Sequence, residues 1–200
     1  MKVTIFDYGA GNIHSLSKAI AASGVTVTVE PDPRRAVETD VLVLPGVGAF
    51  GAAAERLAPG RKAMQTALRD GLPCLGICLG MQLLFDGSDE AEPNVNGLAV
   101  IPGRVTRLRA NHIPQIGWNA IDQAADPLLD EAPLTYAYYA NSYVCRPVSD
   151  AVVCAWSTHD TDRFPAVVRI GNTVGVQFHP EKSSAPGLRF IRAFLNRVKQ

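Results

Sequence analysis

Residues Gly71 to Phe85 read GLPCLGICLGMQLLF, and this stretch restricts the fold more than any other part of the chain. An apolar run, Leu72 to Ile77, meets Cys78, which has glycines on either side at Gly76 and Gly80. Behind the cysteine the apolar spacing changes from that of a strand to that of a helix. A strand that turns sharply into a helix with a nucleophile at the bend is a nucleophile elbow. Small flanking residues permit the strained backbone that lifts the side chain out of the sheet. A helix N-terminus behind a cysteine is also a place where a thiolate is favoured. These features predict Cys78 as a catalytic nucleophile. Cys74 lies in the same strand without such a bend and reads as a small buried hydrophobe.

The rest of the chain supplies the setting for such a bend. Val3 to Phe6, Val25 to Val29 and Val41 to Leu44 read as strands, and Ile13 to Ala22, Ala49 to Leu57 and Arg61 to Arg69 as helices. Strands alternating with helices predict an α/β fold of three layers, a mostly parallel central sheet with helices on both faces. Sheets of this kind bind ligands beyond the carboxyl ends of their strands. Glycine-bearing turns fall there after Phe6, Leu44 and Ile77, and these place the site. Asp86 to Asn96 reads as a polar loop. The second half is richer in strands, over Arg104–Leu108, Leu134–Tyr143, Val152–Trp156 and Ala166–Val176, with a two-residue hairpin turn at Gly171-Asn172. Pro186 to Val198 reads as an amphipathic helix that buries Leu188, Ile191, Phe194, Leu195 and Val198. No repeat or linker divides the chain, so residues 1–200 are expected to form one domain.

A nucleophile needs a base, and the base needs an orienting group. His14, His112 and His159 sit in polar or helical surroundings that suit surface residues. His179 differs, because it ends the apolar strand Val174 to Phe178, and strand alternation puts Glu181 on the same side. Pro180 between them lacks an N–H and suits a strand end. Cys78, His179 and Glu181 therefore read as a triad. Pro45-Gly46-Val47-Gly48 follows a buried strand, and its glycines free backbone N–H groups to face an oxyanion.

A second reading competes for the N-terminal turn. Gly9-Ala10-Gly11-Asn12-Ile13-His14 follows the first strand and opens a helix, and Glu30 ends the next strand, which is most of a dinucleotide fingerprint. His14 stands where the third glycine belongs, and its bulk opposes close helix packing. A nucleotide-binding domain also leaves the cysteine, histidine and glutamate unexplained.

Composition narrows the partners. Lysine plus arginine and aspartate plus glutamate both number 19, so a zero net charge gives no support for nucleic-acid or anionic-membrane binding. The N-terminal apolar run is too short for a secretory signal, and no run approaches the roughly 20 apolar residues of a membrane span. Four cysteines, at positions 74, 78, 145 and 154, match neither a disulfide framework nor paired zinc spacing. A cytoplasmic chain with free thiols, no metal and no cofactor is expected.

Taken together, the glycine-flanked cysteine, Pro-Gly-Val-Gly and His-Pro-Glu resemble the triad-type (class I) glutamine amidotransferases. DYGAGN near the start, GICLGMQLLF, Ile116 to Asn119 and HPEKS resemble, within that class, the glutaminase subunits of imidazole glycerol phosphate synthases. The resemblance runs from Asp7 to Ser183. It implies that Cys78 attacks the side-chain amide of glutamine, with His179 as base and then acid, and Glu181 orienting it. It implies an oxyanion hole at Val47, Gly48 and Leu79, and glutamine contacts at Gly46, Gln82, Ser142 and Tyr143. Asn12, Trp118 and Lys182 would lie at the contact with a partner, a (β/α)8-barrel cyclase that uses the ammonia. The family often has histidine where Asn141 stands, which leaves that side chain's role open. A glutaminase of another biosynthetic pathway would share the triad, but PEKS and IGWN argue against it.

Overall fold

The computed structural model describes residues 1–9 and 13–199. Its main sheet has seven strands: β1 Lys2–Phe6, β2 Thr26–Glu30, β3 Val41–Leu44, β4 Cys74–Ile77, β10 Val153–His159, β11 Asp162–Ile170 and β12 Thr173–Val176. They lie in the order β10-β11-β12-β4-β3-β1-β2. The five from β12 to β2 run parallel, and β10 and β11 join as antiparallel strands at one edge. The expected hairpin turn is present, with Ile170 paired to Thr173 and Gly171 at φ +53°.

Central strands buried on both faces split their side chains between two cores. Val41 and Val43 of β3 point into one core, and Leu42 and Leu44 into the other. The first core is closed by α1 (Ile13–Ala21), α5 (Pro127–Glu131) and α6 (Ser184–Val198). The second is closed by α2 (Phe50–Leu57) and α3 (Arg61–Arg69). The three-layer, mostly parallel arrangement expected from the sequence is thus the one formed.

Two small sheets flank this body. β5 (Gly87–Ser88), β6 (Gly103–Arg107) and β9 (Tyr143–Pro147) form one, and β7 (Gln115–Ala120) pairs with β8 (Tyr136–Asn141) in the other. The expected single strand over Leu134–Tyr143 is therefore two. Asn141 still pairs with Gln115 in the ribbon, but the Ser142 carbonyl takes the Leu108 N–H and Tyr143 pairs with Arg107. The chain changes sheets at Ser142, next to the cavity described below. The segment Asp86–Asn96, expected to be loop alone, contributes β5.

Two helices also differ from expectation. α4 behind Cys78 is one turn, Leu79–Gln82. It stops because the carbonyls of Leu83, Leu84 and Phe85 accept N–H groups from Leu98 to Ile101 instead of continuing the helix, while their side chains fill the core. Leu188 of α6, expected inward, is 42% exposed. The buried stripe is Gly187, Phe190, Ile191, Phe194 and Leu195. Gly187 lies so close to the Pro180 carbonyl that a Cβ there would overlap it. This close approach sets the rotation of α6 and seats it on the turn that carries Glu181.

Candidate active site

β4 delivers Cys78 to the carboxyl edge of the sheet, where its N–H donates to the Val176 carbonyl at 2.6 Å. Its φ of +47° and ψ of −105° are the strained bend expected from the flanking glycines. Both glycines are required by close approach. A Cβ on Gly76 would sit 2.8 Å from the Gly80 carbonyl oxygen, and one on Gly80 would overlap the Leu44 carbonyl. With no side chains between them, β4, α4 and β3 pack closely enough to hold the bend.

His179 arrives from the neighbouring parallel strand. β12 ends at Val176, where the hairpin reading placed it and two residues short of the Val174–Phe178 strand from which the triad was argued, and Pro180–Lys182 forms a 3-10 turn. Strand alternation therefore does not bring Glu181 to His179; the turn does. The result is the pairing expected, with Nδ1 of His179 2.9 Å from Oε1 of Glu181 and both side chains largely buried. The carboxylate accepts from Nδ1, which leaves Nε2 as the working nitrogen. Burial by itself lowers the imidazole pKa, but its interactions with Cys78 and Glu181 outweigh that and push it up to about 9. The Glu181 contact is the better defined of the two. Cys78 Sγ is turned toward the Gln177 amide at 3.4 Å and, at a long 4.0 Å, the Ala140 carbonyl, while His179 Nε2 makes no hydrogen bond. Cys78 thus acts on the ring through proximity and charge.

Cys78 opens into a cavity of about 250 Å³ lined by Gly46, Val47, Gly48, Leu79, Gln82, Glu90 and the segment Ala140 to Tyr143. The oxyanion residues and glutamine contacts expected from the sequence thus meet around one sulfur. Gly48 has φ +125°, a conformation that side chains rarely adopt. A Cβ on Gly46 would lie 2.9 Å from the Ile77 carbonyl and 3.0 Å from Cε1 of His179. Gly46 therefore also keeps room for the His179 ring. An amide bound here would meet the Cys78 sulfur, with the His179 ring buried behind it, and the N–H-bearing backbone of a glycine turn and a first helical turn.

Trp118 and Lys182 come together outside this cavity. Trp118 is 54% exposed and packs edge-on against Tyr138, and Lys182 Nζ lies 5.8 Å from the centre of the same ring. Ile116 and Tyr136 extend the exposed apolar face of the ribbon. Asn12 lies outside the described residues. His14 and His112 are exposed and His159 contacts the His112 carbonyl at 2.8 Å; none of the three lines the cavity.

Sequence reasoning missed three contributors. Glu90 lines the cavity and accepts the Phe50 N–H at 2.9 Å, so it closes the open end of α2 just after the glycine turn. Forty positions separate Glu90 from Phe50, and no periodic pattern links them. Ala140 contributes only its carbonyl, to which its side chain gives no clue. Gln177, fully buried, lay in view one step before Phe178-His179, where a polar residue in an apolar strand was the available signal.

The chain matches the family model for class-I glutamine amidotransferases over residues 4–198. It is 40% identical over 203 residues to the imidazole glycerol phosphate synthase subunit HisH of Natronomonas pharaonis, covering 98% of this chain and 94% of that one. It is 42% identical over 195 residues to the subunit of the same name from Thermus thermophilus, covering 96% and 95%. Among solved structures, a glutamine amidotransferase superposes with a TM-score of 0.78 at 18% identity over 99% of both chains. PurLQS from Thermotoga maritima superposes with a TM-score of 0.70 at 17% identity over 98% of both. The structural likenesses establish the fold alone.

Proposed function

The chain belongs to the class-I glutamine amidotransferases, in the HisH family of imidazole glycerol phosphate synthase subunits, and from that premise we propose how its residues divide the work. It is a single glutaminase domain that converts glutamine to glutamate and ammonia. Cys78 attacks the carboxamide carbon, the C–N bond breaks, and His179 gives its proton to the departing ammonia. His179 then takes a proton from the water that cleaves the γ-glutamyl thioester to glutamate. Glu181 holds the imidazole in the tautomer and orientation that both steps use. Val47, Gly48 and Leu79 supply the N–H groups for the oxyanion. Gly46, Gln82, Ser142 and Tyr143 hold the substrate, and the Glu90 carboxylate suits its ammonium group.

The observation that carries this reading is Cys78 opening into the cavity with the buried His179 ring coupled to it from behind and the Glu181 carboxylate 2.9 Å from that imidazole. The ammonia passes to a partner, a (β/α)8-barrel cyclase, which makes imidazole glycerol phosphate and aminoimidazole carboxamide ribotide. The partner docks on the exposed face around Trp118 and Lys182, close to the catalytic turn, and Asn12 joins this contact. The assembly works in the cytoplasm. No helix among the described residues is long and apolar enough to cross a membrane. Mixing the purified chain with a cyclase subunit tests the assignment. A stable complex that forms imidazole glycerol phosphate from glutamine is expected; failure to form the complex would reopen the choice of pathway.

A further inference from the structure

Four carboxamide and carbonyl groups form an unbroken chain from the substrate cavity to the nucleophile. The Tyr143 carbonyl accepts from Asn141 Nδ2 at 3.2 Å and from Gln82 Nε2 at 3.1 Å. Gln82 Nε2 also lies 3.4 Å from Oε1 of Gln177, and Gln177 Nε2 donates to Cys78 Sγ at 3.4 Å. Asn141 and Gln82 line the cavity; Gln177 has no exposed surface and reaches the cavity only through its neighbours.

We propose that Gln177 orients and stabilises the Cys78 thiolate, and that its contact with Gln82 makes this depend on how the glutamine cavity is filled. The proposal rests on the glutaminase reading above and adds a residue to it. The chemistry follows from the two sides of the sulfur. As a thiol, Sγ can donate to the Ala140 carbonyl; as a thiolate it cannot, and that carbonyl then repels it. An N–H aimed at the sulfur favours the charged form. Gln177 supplies such an N–H to Sγ at 3.4 Å, on a different side from the His179 ring that also interacts with the sulfur. A carboxamide cannot be turned without moving both its ends. Its oxygen is held by Gln82, so a substrate that shifts Gln82 also shifts the N–H at the sulfur. Sγ is turned toward this N–H and the Ala140 carbonyl, while His179 Nε2 makes no hydrogen bond in this arrangement.

The test uses the complex with the cyclase partner and steady-state glutamate release. Gln177→Met keeps the length of the side chain and removes the donor. It should lower kcat about tenfold or more while KM changes less than about twofold. Gln177→Glu should be slower still, because a carboxylate beside the sulfur opposes the thiolate. In both variants iodoacetamide should alkylate Cys78 more slowly, read on the Cys78 peptide by mass spectrometry, with thermal unfolding confirming the fold. Should Gln177→Met not fold, Gln177→Asn draws the amide back by one methylene and should show the same kcat loss. Gln82→Met should lower kcat on its own, but add nothing to kcat loss in the Gln177→Met background. A folded Gln177 variant with kcat within about twofold of wild type, or independent effects of the two substitutions on kcat, overturns the proposal. Glutamine turnover retained by Cys78→Ala would instead overturn the glutaminase reading beneath it.

Discussion

The backbone N–H of His179 donates to the Tyr138 carbonyl at 2.8 Å, so this histidine is held by the strand whose outer face carries the Trp118–Tyr138–Lys182 cluster. Ser183 completes the joint, accepting from the Tyr138 N–H at 2.9 Å and donating to the His179 carbonyl at 2.7 Å. Ser183→Ala leaves the Tyr138 N–H without this partner and takes one of two donors from the His179 carbonyl, which keeps the Lys182 N–H. It should destabilise the chain by about 2 kcal/mol and lower kcat several-fold. Denaturant unfolding and glutamate release measure the two effects.

Gly80 is where the elbow meets β3. Gly80→Ala places a methyl on the Leu44 carbonyl, which neither α4 nor β3 can vacate, and should destabilise by about 3 kcal/mol or more. Gly117→Ala puts its methyl in open space, although at φ +126°, and should be milder. Thermal unfolding of the pair compares overlap with backbone strain.

In the proposed mechanism the proton on His179 sets the alkaline side of the activity profile. Departing ammonia takes that proton, so kcat/KM should fall as pH rises through about 9. Glu181→Gln removes one of the two interactions that raise the imidazole, and the limb should move toward the ordinary 6.5. Stability moves in the same sense. The folded pKa lies above the unfolded one, so the extra stability is complete below 6.5 and is lost on rising through about 9. Unfolding curves at pH 6 and pH 10 for both chains check it.

A second ion pair, with a buried carboxylate, lies away from the cavity. Asp126 caps α5 through the Leu128 N–H at 2.8 Å and meets Arg169 at 2.6 and 2.8 Å. Burial raises its carboxyl pKa, but the Arg169 and Leu128 hydrogen bonds prevail and hold it below the usual value. Its stabilisation is therefore present above the unfolded pKa and is lost on acidification below it. Arg169→Met leaves the carboxylate with only the Leu128 N–H and the Cys154 thiol and should cost about 2 kcal/mol at neutral pH with kcat per folded molecule unchanged. Urea titration and turnover of the same sample decide it.

How legible the site was depended on the distance over which each signal acts. The bend at Cys78 and the turn at Pro45–Gly48 are written in adjacent residues, because glycine is demanded where backbones touch. His179 and Glu181 were found by a wrong route: alternation along a strand was invoked, and a 3-10 turn makes the contact. Glu90 and Ala140 were not legible, since one acts across forty positions and the other through its backbone. The ribbon strand Gln115–Ala120 was missed because its half-exposed residues and Gly117 dilute the apolar alternation. Leu188 was misplaced because the rotation of α6 is set by Gly187 against the Pro180 carbonyl, not by the largest apolar side chains.

The most direct measurement is glutamate release from glutamine by wild-type and Cys78→Ala chains, each mixed with the cyclase partner. The wild type should produce glutamate and the variant none, while both still bind the partner. Glutamate release by the variant at the wild-type rate would contradict Cys78 as the nucleophile, and with it the roles given to His179 and Glu181.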